Sequence, residues 1–388
     1  MKPLPFRMPC VLSCAPRMPA PVHPLQWAAD NHEEFVAVLS HNIECGAAAV
    51  CAPAMYANPA RLEAHRAEED YHRINCALMA VAVEGAMERV PAGAALGATE
   101  LCQAPDGEAT IEDMIAAYRR QIRVLAECGA AFLVAQDMTS LTELRAALIA
   151  AQESSSLPVI AQLRVDDEGV TPYGTELLAA AVTAQSMGAA AIGIDARGCF
   201  SALGQILRDT APYLSVPVMA VVPPEADEAE LRALPGVSIF TGIKSKQTPA
   251  LLELLERSGG FEALPALDRH VDGTLILAAD SRSAHFIDAE VDITTDIECT
   301  PDLDEEILAA EDDSWGAMRL HIDNEDDLAA FMEHQYLIRR PLCLCSDDPE
   351  LFERAVRAFD GCAIYDGTCE LTERHVAQMA AAYGLIRL

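Results

Sequence analysis

The stretch IEDMIAAYRRQIRVLAECGAAFLVAQD, residues 111–137, carries the pattern that decides the fold. Its first part is amphipathic over 111–128, with Ile111, Met114, Ile115, Tyr118, Ile122 and Leu125 spaced three or four apart, which makes one apolar helical face. Gly129, between Cys128 and Ala130, fits the left-handed position that closes a helix. A short apolar run, 132–135, follows at once. Such a run, apolar throughout rather than alternating, suits a parallel strand covered on both sides.

The same unit recurs in both directions along the chain. Short apolar runs at 9–14, 48–52, 93–96, 158–163, 190–194, 217–222 and 237–241 join 132–135 to make eight. Amphipathic stretches separate them, at 33–45, 70–86, 141–152, 175–187 and 201–214, and 249–257 follows the last run. Gly46 and Gly188 repeat the closing role of Gly129. Eight strand–helix units in about 260 residues predict an α/β fold, a (β/α)8 TIM barrel. An open doubly wound sheet is the alternative, but its glycine-rich turn after strand 1 is absent, since the chain reads Cys14-Ala15-Pro16-Arg17 there.

Beyond the barrel, assigned to 1–260, the composition shifts. Residues 288–327 hold sixteen Asp or Glu and a single Arg, Arg319, so 261–314 reads as an acidic connector. No glycine turn interrupts Asp302-Leu303-Asp304-Glu305-Glu306, so a calcium loop is not expected. Periodicity returns over 315–388 as strands at 318–322, 342–345 and 362–365 and helices at 326–336, 349–359 and 372–383, a partial α/β unit.

Composition limits the function classes. Lys and Arg number 27 and Asp and Glu 60, giving 27 − 60 = −33, which repels nucleic acid and anionic membranes. No apolar run reaches the length of a membrane span. The 13 cysteines form no CxxC pair and read as reduced, buried thiols of a cytoplasmic protein.

Several motifs match a known family. Ala57-Asn58-Pro59-Ala60-Arg61-Leu62 with Ile74-Asn75, Tyr118 with Gln121, Leu125 and Gly129, Gln136-Asp137-Met138, Thr171 with Gly174, Gly188-Ala189 with Gly193-Ile194-Asp195-Ala196, and Pro249 with Leu251-Leu252 occur in order. Over residues 5–258 the chain resembles the homocysteine S-methyltransferases, most closely the first module of cobalamin-dependent methionine synthases. Pro341-Leu342 through Glu350, then Phe359, Gly361, Ile364 and Tyr383-Gly384, resemble part of their folate-binding module.

The resemblance implies a zinc ion held by three cysteine thiolates, which activates the homocysteine thiol for methyl transfer. Position by position the ligands are missing. The strand 6 cysteine is Ala196, and the strand 8 pair falls on Ile243 and Lys244. The family's Glu on strand 4, which would bind the substrate amine, is Gln136. In the tail, the folate module's acid is Cys345 and its Asn is Tyr365.

Three expectations follow. The first is a divergent family member without the zinc-thiolate mechanism, binding a small molecule or a partner subunit and needing no cofactor. The second is an active methyltransferase with a zinc site relocated to Cys14, Cys51 and Cys199. The third is a barrel that takes a small anionic ligand on Lys244 and Lys246, with Asp195 and Asp137 available for proton transfer. Gln136, Asp137, Asp195, Lys244 and Lys246 are the pocket candidates. The uncovered strand edges of the partial unit predict homo-oligomers formed through 315–388.

Overall fold

The computed structural model describes residues 2–14, 24–64, 68–102, 107–223, 226–232, 234–242, 245–257, 276–287, 291–300, 302–313 and 316–388. Eight parallel strands close into a barrel: β1 (Cys10–Cys14), β2 (Ala49–Ala52), β3 (Ala92–Leu96), β4 (Leu133–Met138), β5 (Val159–Arg164), β6 (Ala191–Asp195), β7 (Val218–Val221) and β8 (Val237–Thr241). Closure is made by β1 against β8, with Cys10 opposite Ile239 and Val11 opposite Phe240. The TIM barrel expected from the repeat is the observed fold.

Local chemistry explains how these units start and stop. The helix Ile111–Glu127 opens with a capping box: Thr110 accepts from the Asp113 amide while the Asp113 carboxylate accepts from the Thr110 amide. Ser140 caps the next helix, Leu141–Ser154, by accepting from the Glu143 amide. Gly129 and Gly188 close helices with φ of 96° and 84°.

Inside the barrel, alternate residues form a second, separate core: Cys10, Leu12, Ala49, Cys51, Ala95, Phe132, Val134, Ile160, Ala191, Met219 and Ile239. Phe6 closes the lower end, its ring edge-on to Phe132 at 5.3 Å. Phe132 also dictates Gly93, because a Cβ there would fall 2.4 Å from its ring.

A second unit packs beside the barrel. Strands β9 (Ile276–Ala279) and β10 (Ala284–Ile287) form an antiparallel hairpin. Strands β11 (Ile293–Glu298), β12 (Ala317–His321), β13 (Leu342–Cys345), β14 (Ile364–Tyr365) and β15 (Ile386–Arg387) form a parallel sheet in sequential order. Connecting helices cover one face of it. The hairpin covers the other, placing Ala278 and Ile287 against Ala317, Cys343 and Ile364.

Regular structure therefore extends into 261–314, the stretch that composition alone reads as an acidic connector. The reason is that the acids there alternate with apolar residues that become buried, among them Ile297, Leu303, Ile307 and Ala310. In the helix Leu303–Asp313, Asp304, Glu305 and Glu306 occupy the first turn, where the helix dipole favours negative charge. The expectation of uniformly reduced thiols is also corrected: Cys76 and Cys128 form a disulfide between neighbouring helices, while the other eleven cysteines are in no disulfide.

Several side chains join the two units, among them Arg145, Thr142, which donates to Asp360, and Arg357, which pairs with Glu112 and Glu153. Arg145, on the helix Leu141–Ser154, is fully buried and donates to the carbonyls of Gly361 at 2.8 Å, Tyr383 at 3.1 Å, Val356 at 3.0 Å and Arg357 at 3.3 Å. Three of these carbonyls belong to the last turns of the helices Pro349–Ala358 and Glu373–Tyr383. Helix ends leave such carbonyls without internal partners and favour a cation beside them.

Candidate functional site

In this fold the strands' carboxyl ends, with the loops that follow them, form the working face. By strand alternation the uppermost inward positions are Cys14, Cys51, Gln136, Arg164, Asp195 and Thr241.

Two arginine–aspartate pairs dominate this mouth. Arg164 donates through Nε to Asp137 Oδ1 at 2.7 Å and through Nη2 to Oδ2 at 2.5 Å. Arg197 donates through Nε to Asp195 Oδ1 at 2.8 Å and through Nη2 to Oδ2 at 2.5 Å. Both are fork-to-carboxylate contacts, the strongest arrangement for such groups. Arg164 and Asp195 are register partners on adjacent strands, so the pairs alternate in charge as one quartet. Each guanidinium is held above its ordinary pKa, first by the hydrogen bonds it donates to its own aspartate. Asp195 is enclosed, with 4 % of its side chain exposed, whereas Arg164 is half exposed.

Asp137 reaches its place through a distorted strand. The pairing of β4 with β5 shifts between Ala135 and Met138, and Asp137 adopts φ 61°. That conformation is uncommon for a residue with a Cβ, and it turns the carboxylate out of the strand's alternation and onto Arg164.

The cysteines are arranged differently from a thiolate cluster. Cys14 lies 3.5 Å from the Thr241 hydroxyl and hydrogen-bonds Cys51. Cys51 is buried, and its pKa is pushed up, first by the Cys14 contact and then by burial. Cys199 instead contacts the Val165 carbonyl at 3.8 Å, and burial followed by Asp167, Asp166 and Asp195 raises its pKa. Among the described residues no group of three or more His, Cys, Asp or Glu is placed to hold a metal ion.

The remaining candidates separate. Gln136 is half-buried on β4, and Ala196 is fully enclosed just after β6. Lys246 is exposed in the turn Ser245–Gln247. Ile243 and Lys244 lie outside the described residues. Arg197 pairs with Asp195, two residues before it. Arg164 was not among the sequence candidates, because nothing local shows that it meets Asp137, 27 residues away.

The motif residues hold the scaffold. Gln121 donates to the Ala54 carbonyl at 2.8 Å and to Asn75 Oδ1 at 3.0 Å, and Asn75 donates to the Ala57 and Tyr71 carbonyls. Asn58 donates to the Ala98 carbonyl at 2.6 Å. The Tyr118 hydroxyl donates to the Gly97 carbonyl at 3.1 Å and to Glu143 at 2.5 Å, and Glu143 also accepts from the Thr99 amide and hydroxyl. These buried amides and hydroxyls tie the loops after β2, β3 and β4 together, where an unpaired polar group would be costly.

The sequence model described as homocysteine S-methyltransferase matches residues 23–235, more than half of the chain. Curated proteins give no match. Among solved structures, the metallated homocysteine methyltransferase MmuM from Escherichia coli is similar at TM-score 0.52 and 16 % identity, over 63 % of this chain and 96 % of that one. Its oxidized form gives 0.49 and 18 % over 63 % and 95 %, and dihydrodipicolinate synthase DapA-2 from Bacillus anthracis 0.40 and 15 % over 64 % and 76 %. Such identities speak for the barrel only. The matched span includes the buried Asn75–Gln121 and Tyr118–Glu143 networks, and the chain belongs to the homocysteine S-methyltransferase family.

Proposed function

We propose that this chain is a divergent homocysteine S-methyltransferase family protein that does not carry out zinc-thiolate methyl transfer, and that its mouth binds a small polar molecule. The observation that carries the reading is the donor set. Ala196 offers no ligand atom where the family's strand 6 cysteine would stand, and the adjacent Asp195 carboxylate is held by Arg197. Neither Ile243 nor Lys244 supplies a thiol at strand 8. A zinc ion that activates a thiol needs three protein ligands and one open position. The residues present do not fit that requirement, and guanidinium groups beside the carboxylates oppose a cation there.

What the mouth offers instead is hydrogen bonding and fixed charge. Half-exposed Arg164 and exposed Lys246 favour an anionic group on the ligand, the second reading. A cytoplasmic setting belongs to the same proposal. It rests on eleven of the thirteen cysteines forming no disulfide, with Cys76–Cys128 the exception.

The test is zinc content by elemental analysis after incubation with zinc and desalting, with and without homocysteine, alongside a methyl-transfer assay. Substoichiometric zinc and no methionine formation are expected. About one zinc per chain, together with methionine formation, overturns the proposal and points to re-sited cysteines. Charge reversal at Lys244 and Lys246 tests the anionic reading, through loss of binding of the probe anion citrate.

A further inference from the structure

The second unit has its own rim, at the carboxyl ends of β11 to β14. Asp296, Arg319, His321 and Asp366 meet there. Arg319 donates to Asp366 and, at 3.4 Å, to Asp296, while His321 Nε2 lies 2.5 Å from Asp296 Oδ1. Cys345 ends β13 beside His321, its register partner. Its sulfur lies 3.1 Å from that of Cys369, which follows β14.

Several contacts hold these sulfurs together. Asp366 accepts from the amide and hydroxyl of Thr368, folding the segment after β14 into a tight turn. The Tyr365 hydroxyl and the Leu371 amide both donate to the Cys369 carbonyl. Asp347 accepts from the Glu370 amide at 3.0 Å, pinning that turn to the loop after β13. The separation is shorter than ordinary contact between two sulfurs, and closing it by about 1 Å reaches a disulfide bond. Cys343, two residues before Cys345, is fully enclosed in the apolar patch with Ala278, Ala317 and Ile364. Cys345 is only half-buried and sits beside His321 of the charged rim.

We propose that Cys345 and Cys369 form a thiol–disulfide exchange site whose substrate is a low-molecular-weight disulfide of the glutathione disulfide class. Cys345, the more accessible sulfur, attacks one sulfur of that disulfide as a thiolate. The substrate's S–S bond breaks, and one small thiol leaves with the proton given up by Cys345. Cys369 then attacks Cys345 Sγ in the mixed disulfide, and the second small thiol leaves with the proton from Cys369. Two electrons pass from the cysteine pair to the substrate, and one protein disulfide forms. Burial, reinforced by the contact with Cys369, pushes the Cys345 thiol up to about 12. Attack is therefore slow, and Cys345 is a poor leaving group once the bond has formed. The bond fastens the end of β13 to the turn that precedes the helix Glu373–Tyr383.

The experiment uses the full chain, incubated with excess glutathione disulfide, quenched in acid, alkylated and digested. The expected product is a peptide pair joined through Cys345 and Cys369, lighter by two hydrogens and separated by reductant, with two fewer alkylated cysteines per chain. Substitution C369S is expected to leave Cys345 carrying a glutathione adduct that does not resolve. The joined Cys76–Cys128 peptides serve as the internal standard. Complete alkylation of both Cys345 and Cys369 after oxidation overturns the proposal. So does a stable glutathione adduct on Cys345 of the unsubstituted protein. Because the readout is covalent linkage, it is independent of zinc content and methyl transfer at the barrel.

Discussion

Replacing Arg145 by methionine tests the junction between barrel and second unit. The substitution keeps an unbranched, apolar stem of similar reach and removes every donor. In the parent, four carbonyls share one guanidinium that is fully shielded from water. Burial lowers the Arg145 pKa, and the nearby Asp360 works in the opposite direction. Hydrogen bonds from a charged group contribute about 1.5–3 kcal/mol each, but the desolvation of one cation offsets most of the sum of four. Removing one partner from a buried ionic arrangement costs about 3–5 kcal/mol, and that is the expected loss. A domain's whole stability is about 5–15 kcal/mol, so a loss of this size, concentrated at one junction, should release the second unit before the barrel melts. Urea unfolding with limited proteolysis reads it out: R145M should show an early transition with new cleavage confined to 345–388, while the barrel transition stays in place. A single parent-like transition, within about 0.5 kcal/mol, would refute the reasoning. Should R145M prove insoluble, R145K decides. An ammonium cannot span four carbonyls, so it should lose about 1–3 kcal/mol, and no loss refutes the assignment equally.

Two further outcomes are expected. Burial raises the Glu143 pKa above its ordinary 4.5, partly opposed by the Thr99 and Tyr118 hydrogen bonds. The folded state therefore binds that proton more tightly than the unfolded chain, and this group's contribution makes stability fall as pH rises above 4.5. E143Q should flatten that slope in urea midpoints measured across pH 4.5 to neutrality, and an unchanged slope would exclude Glu143 as its source. Self-association through the second unit is also expected, because the outer edge of β11 (Ile293–Glu298) has no strand beside it among the described residues. Sedimentation at micromolar concentration should give a dimer or larger species, and a monomer mass of 41.6 kDa would count against it.

The sequence alone determined the barrel, because its information is local and repeated. Each helical face is written at spacings of three and four residues, each buried strand as a continuous apolar run, and glycines such as Gly129 and Gly188 mark where one gives way to the other. The family motifs were legible for a related reason. Asn58, Asn75, Tyr118 and Gln121 keep their identities in a pattern readable along the chain, although only the fold reveals them as buried ties between loops. The expectation that the family's zinc cysteines are replaced at Ala196, Ile243 and Lys244 likewise rests on the sequence, since an amino acid's donor chemistry needs no coordinates. Tertiary structure decided what the residues do to one another. Arg164 meets Asp137 through a bulge in β4, Cys345 meets Cys369 across two loops, and Arg145 reaches helix ends more than two hundred residues away. The strands inside 261–314 belong to the same class, since acidic composition conceals an apolar face until a neighbouring sheet buries it. The physical reason is that hydrogen bonds and ion pairs act over a few ångströms in space, and chain closure sets those distances where sequence spacing does not.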